Sequence, residues 1–179
     1  LLGGLVYWFV AIPAKVLPEG SASKQWFTKG EYPVITEAFK AVDETRKTQA
    51  NNDFAGRDVR VLKGKIWRPQ GLQKPGPLLV YSHGFMSFHQ EGLYLVRFLA
   101  SHGYTVVAVD FPLTNFFAPG KPLLSDVVNQ PGDVSFLISA LLQRNADAND
   151  VLHNTIDTKK IAVAGVSAFY QSDSLLPGQ

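Results

Sequence analysis

Gly165-Val166-Ser167 closes the last apolar run of this chain, which consists of Ile161, Ala162, Val163 and Ala164. A serine so placed can serve as a nucleophile if a sharp turn from strand into helix lifts its hydroxyl above the sheet. Gly-x-Ser alone carries no information; its weight here comes from the strand before it and from His83-Gly84-Phe85, a turn that follows an earlier apolar run. Backbone N–H groups in such a turn can face an oxyanion. A nucleophilic serine also needs a base, and the chain offers four histidines. His83 belongs to the turn, where its ring braces the loop. His102 falls at a helix end, where the helix dipole favours it. His153 reads as a solvated residue of a polar connection. His89 lies closest to the mouth of the site, but nothing in the sequence fixes its ring toward Ser167, so it reads as a surface or capping residue. Asp110, ahead of Phe111-Pro112, reads as a carboxylate that holds a turn by accepting backbone N–H bonds. Phe111, Phe116 and Phe117 lie on the same rim, suited to lining an acyl or aromatic pocket or to packing under a loop. No histidine, aspartate or glutamate group has metal-ligand spacing, so no metal is expected.

The elements that must position these residues are clearest from Pro77 onward. Leu78, Leu79, Val80 and Tyr81 form a continuous apolar run bounded by turn residues, as a strand buried on both faces requires. Leu95, Phe98, Leu99 and His102 then follow helical spacing, with Gly103 where a helix commonly ends. A second buried run extends from Thr105 to Val109. Val134, Leu137, Ile138, Leu141 and Leu142 make the best helical stripe, entered through Asn129 and Pro131, with Asp133 at the positive N-terminal end. The third buried run ends at Gly165. Alternating strands and helices of this length predict a parallel sheet whose ligands sit beyond the carboxyl ends of the strands. Val59, Val61, Ile66 and Trp67 read as a short strand or hairpin arm. Residues 19–58 are ambiguous, because Ile35, Ala38, Phe39 and Val42 fit a helix while the segment is equally readable as a strand.

At 179 residues, 46% hydrophobic and 18% charged, the chain can bury one core. The net charge of +2 is scattered in small basic groups, without the stripe that nucleic-acid binding demands. The absence of cysteine excludes a disulfide scaffold and a thiol nucleophile. Leu1 to Ile12 is an apolar stretch too short to cross a bilayer, but of the length of an export-signal core. It is assigned to an export or anchor remnant over residues 1–23, with a first core strand or helix as the alternative. That assignment places the protein outside the cytoplasm, periplasmic, secreted or anchored to a membrane.

Tyr81-Ser82-His83-Gly84-Phe85, the helix ending Leu99-Ala100-Ser101-His102-Gly103-Tyr104, the strand Val106-Val107-Ala108-Val109-Asp110-Phe111-Pro112, and Ile156-Asp157 together resemble the dienelactone hydrolase and platelet-activating-factor acetylhydrolase branch of the α/β-hydrolases. Polyester hydrolases belong to the same broad group. The resemblance covers about residues 59 to 167, inside a domain drawn from 24 to 179. It implies Ser167 as nucleophile, Phe85 and Ala168 as backbone oxyanion donors, His83, Gly84 and Gly165 as the supporting turns, and hydrolysis of a small-molecule, lipid or polyester ester through an acyl-serine without cofactor or metal. Two departures follow. Phe169 stands where the family pattern Gly-x-Ser-x-Gly has its second glycine, and no histidine follows Ser167, whereas the family's acid and histidine both do. The sequence therefore predicts an incomplete α/β-hydrolase fold, a mostly parallel sheet with crossover helices halted after the nucleophile strand. In function it predicts a serine ester hydrolase family whose present member is an inactive fragment. The alternative is a non-catalytic product, or a binding or partner module on the same scaffold.

Overall fold

The computed structural model describes residues 19–20 and 27–166. The apolar stretch assigned to export therefore lies outside the described residues, as do Ser167, Ala168 and Phe169. Among the described residues no helix is long and apolar enough to cross a membrane.

Among the described residues five strands form one sheet, in the order β1-β2-β4-β3-β5. They are β1 (Val34–Asp43), β2 (Arg60–Pro69), β3 (Gly76–Ser82), β4 (Thr105–Asp110) and β5 (Ile156–Gly165). Helix α1 (Leu93–Ser101) connects β3 to β4, and α2 (Gln130–Ala146), entered through a 3-10 turn over Leu124–Asn129, leads to β5. The core of the sheet is parallel, as β3 pairs in parallel with both β4 and β5. β1 and β2 add an antiparallel pair on the far side of β4.

Alternation along the central strands divides the core into two layers. Leu78, Val80, Val107 and Val109 face α2 through Leu137 and Leu141, whereas Leu79, Tyr81, Val106 and Ala108 face α1 through Val96 and Ala100. The two helices cover opposite faces, so all four positions of β4 from Val106 to Val109 are completely buried. α1 stops where Gly103 takes φ +96°, a left-handed conformation that costs glycine no Cβ clash. β2 and β4 approach so closely that a Cβ on Gly64 would lie 2.0 Å from the Ala108 carbonyl oxygen.

The structure adds to the sequence reading in three places. The ambiguous segment is a strand: β1 runs in unbroken register with β2 from Val34↔Pro69 to Asp43↔Arg60. The hairpin arm read around Val61 and Trp67 is one continuous strand, in which Ile66 and Trp67 point to opposite core layers. Asp133 does not serve simply as a dipole partner. Its carboxylate is fully buried and receives Arg60 Nε and Nη2, each at 2.7 Å. The same guanidinium donates to Asp126 at 3.1 and 3.0 Å. Burial alone would lower the Arg60 pKa, but the hydrogen bonds to Asp133 and Asp126 outweigh it and hold the group firmly protonated. Arg46 Nη2 adds a second cation 2.8 Å from Asp133. This buried cluster ties the start of β2 to the 3-10 turn and to the first turn of α2.

Candidate active site

The carboxyl edge of the parallel strands gathers the ends of β3, β4 and β5. Beyond Ser82 the chain leaves the sheet through His83-Gly84-Phe85, and nearly every polar group of this turn is committed. His83 is buried, and its Nε2 accepts the Phe111 N–H at 3.1 Å. The opposite ring nitrogen, Nδ1, lies 2.7 Å from the Gly84 carbonyl, so the proton sits on Nδ1 and the imidazole is neutral. Burial pushes its pKa below the ordinary 6.5, against weaker raising influences from Gly84, Asp110 and Glu91. The ring also tilts against Phe111, with centroids 5.1 Å apart.

Glu91 holds the other side of the turn. Its carboxylate accepts the Gly84 N–H at 3.1 Å and the Tyr81 hydroxyl at 3.3 Å. Burial, and then the Glu91 charge, push the Tyr81 hydroxyl up to about 12. Met86, at φ +59°, donates its N–H to the Thr114 carbonyl, and Ser87 donates to the Gly84 carbonyl. Of the amides from Gly84 to Ser87, that of Phe85 alone has no acceptor among the described residues.

The end of β5 lies directly beside this turn. Ser82 is paired with Gly165, and the Val166 N–H donates to the Ser82 carbonyl at 3.3 Å. A Cβ on Gly165 would lie 2.8 Å from that carbonyl oxygen, so the close approach of the two strands requires glycine here. Ser167 and Ala168 follow at once, outside the described residues.

At the end of β4, Asp110 accepts hydrogen bonds, but from a distant segment rather than from its own turn. Its Oδ1 receives the His89 N–H at 2.7 Å and faces His89 Nδ1 at 2.9 Å. His89 is thus no free surface residue. Its Nε2 is enclosed and has no hydrogen-bond partner among the described residues. The aromatic rim needs one correction: Phe111 is fully buried and packs in the α2 layer of the core, so it lines no pocket rim. Its ring packs among Leu137, Leu141 and the other residues of that layer, and its amide donates to His83. Phe116 and Phe117 are the exposed pair, in edge contact at 5.2 Å.

His102 caps α1, with Nε2 3.0 Å from the Thr28 carbonyl, and His153 lies 2.9 Å from the Asn154 amide. Both precede the strands they lead into, which puts them at the amino edge of the sheet, away from Gly165. No group of three or more His, Asp or Glu among the described residues is arranged to hold a metal ion. Sequence reasoning missed Glu91, which lies in a polar loop whose composition gives no sign of a partner at Gly84.

The strand order, the helices on both faces and the turn arrangement define an α/β-hydrolase fold. Among solved structures, the chain is similar to a ferulic acid esterase from Streptomyces cinnamoneus, at 22% identity and a TM-score of 0.58, over 76% of this chain and 53% of that one. This chain therefore spans about half the length of that esterase. The sequence matches no family model and no curated protein.

Proposed function

We propose that this chain carries the nucleophile and oxyanion segments of a serine carboxylic ester hydrolase of the dienelactone hydrolase and platelet-activating-factor acetylhydrolase kind. The observation that carries the reading is the unengaged Phe85 amide, in a turn whose neighbouring amides are all satisfied, beside a β5 end that leads into Gly165-Val166-Ser167. A donor kept free by design of its surroundings is what a developing oxyanion needs. In this reading the Ser167 hydroxyl attacks the ester carbonyl, the amides of Phe85 and Ala168 receive the negative oxygen, the alcohol leaves, and water cleaves the acyl-serine. The acid and histidine that activate the serine in this family follow it in chain order. Residues 168–179 contain no histidine, so a base in that order is not among the 179 residues. The substrate is an ester of a lipid, a polyester or a small aromatic acid, met outside the cytoplasm. The likeness to a ferulic acid esterase adds support for ester chemistry.

Fluorophosphonate labelling followed by peptide mapping tests this. The label should fall on Ser167 in preference to the other serines, while p-nitrophenyl acetate is turned over no faster than by Ser167→Ala. Label spread evenly over surface serines would sink the reading.

A further inference from the structure

A recess lies on the same edge of the sheet, between the end of β4 and the start of β2. Its outer wall is the connection from β1 to β2, folded back on itself by paired backbone bonds between Thr48 and Arg57 and between Asn51 and Phe54. Its opposite wall is the segment after β4. The two walls are fastened together: Asn51 Nδ2 donates to the carbonyls of Pro119 at 3.0 Å and Lys121 at 2.6 Å. Asn115 fixes the second wall from within, donating to the Phe111 carbonyl and accepting the Phe117 N–H. The cleft is therefore preformed, and its volume of about 410 Å³ is in the range of small-molecule sites.

The lining defines a chemical class. Phe54, Val61 and Phe117 supply apolar and aromatic surface, while Arg57 and Lys63 supply two cations. Neither cation has a carboxylate within ion-pair distance among the described residues, although Lys47 on the same wall pairs with Asp58 at 3.1 Å. Arg57 lies over the Phe54 ring, its guanidinium carbon 5.6 Å from the centroid, a cation–π contact that holds the charge at this wall of the cleft. Asp110 is the one carboxylate in the lining; its Oδ1 is held by His89, and its single charge leaves the two cations in excess. A guanidinium over an aromatic ring, an ammonium in the same lining and two cations against one carboxylate match a carboxylate on an aromatic body.

We propose that this cleft binds an aromatic carboxylate. The cleft opens beside the end of β4, two strands from β5, about 10 Å at ordinary strand spacing. It does not depend on Ser167.

The test is a fluorescence anisotropy titration of the 179-residue chain with 2-naphthoate, at low salt, alongside the uncharged 2-naphthamide. Naphthoate should bind saturably and be competed off by benzoate, with the amide at least roughly tenfold weaker. Arg57→Gln with Lys63→Gln should weaken naphthoate by a similar factor with an unchanged circular dichroism spectrum, since both side chains are exposed. Ser167→Ala should bind like the parent, so loss of the esterase reading leaves this one standing. Equal binding of acid and amide, an unaffected double variant, or no saturable binding would each overturn it.

Discussion

β4 and β5 flank β3 on its two sides, both parallel to it and both built on short runs of valine and alanine, yet their burial differs sharply. Every residue of β4 from Val106 to Val109 is fully buried, while Val163 of β5 is 55% exposed and Ala162 is exposed with it. The cause is the number of neighbours. β4 has a strand on each side and a helix layer over each face, whereas β5 pairs, among the described residues, with β3 alone. An apolar run thus specifies a strand that can be buried on both faces, but the topology decides how much of that burial is realised. The β2 side of the sheet, in addition, is held by buried charge.

That difference is testable first at the charge cluster. Arg60→Ala would leave Asp126 and Asp133 buried with their principal cation gone. Removing one partner of a buried pair costs about 3–5 kcal/mol. Urea unfolding should show a loss of that order, and Arg60→Lys should recover only part of it, because an ammonium cannot reach both carboxylates in the bidentate manner of the guanidinium. A loss under about 1 kcal/mol would mean that the β2 side is not fastened by this group.

A smaller effect compares the two strands directly. Val107→Ala should cost about 2 kcal/mol through lost apolar burial and the void left behind. Val163→Ala should cost under about 0.5 kcal/mol, because that side chain has little burial to lose. Equal costs in thermal or urea unfolding would show that β5 is covered in solution. In that case the exposure of Val163 would not describe the molecule at work.

The central elements were legible because their information is local. The apolar run of β3, the stripe of α2 and the glycine that ends α1 each report on themselves. β1 was ambiguous because Ile35, Ala38, Phe39 and Val42 satisfy helical spacing, and only the ten-residue register with β2 settles the matter. The same limit applied to the site. A turn after β3 and a Gly-x-Ser after β5 are legible from the order of the elements, while the roles expected of His83, Phe85 and Gly165 come from the family resemblance. Polar groups whose partners lie far away could not: Arg60 is separated from Asp133 by 73 residues, and His89 from Asp110 by 21. Phe111 belongs to the core for a related reason, since the residues that bury its ring, Leu137 and Leu141 among them, lie far away in the chain.

The smallest effect concerns how β3 is joined to its two neighbours. Toward β4, the joint is the bond from the Phe111 N–H to the His83 imidazole; toward β5, it is the bond from the Val166 N–H to the Ser82 carbonyl. Only the first can titrate. The folded-state pKa of His83 is lowered below 6.5, chiefly by burial, so below pH 6.5 the unfolded chain binds a proton that the folded chain does not. Its contribution to stability is therefore complete above pH 6.5 and declines as pH falls toward the folded-state pKa, with a slope of at most about 1.4 kcal/mol per pH unit. His83→Gln removes the titration, so the gap in stability between parent and variant should narrow from pH 7 to pH 5. Hydrogen exchange makes the contrast sharper. Protonated Nε2 can no longer accept, so the Phe111 amide should lose protection on acidification once intrinsic exchange rates are corrected for, while the Val166 amide keeps its own. Parallel behaviour of the two amides would show that the β4 joint does not rest on the imidazole.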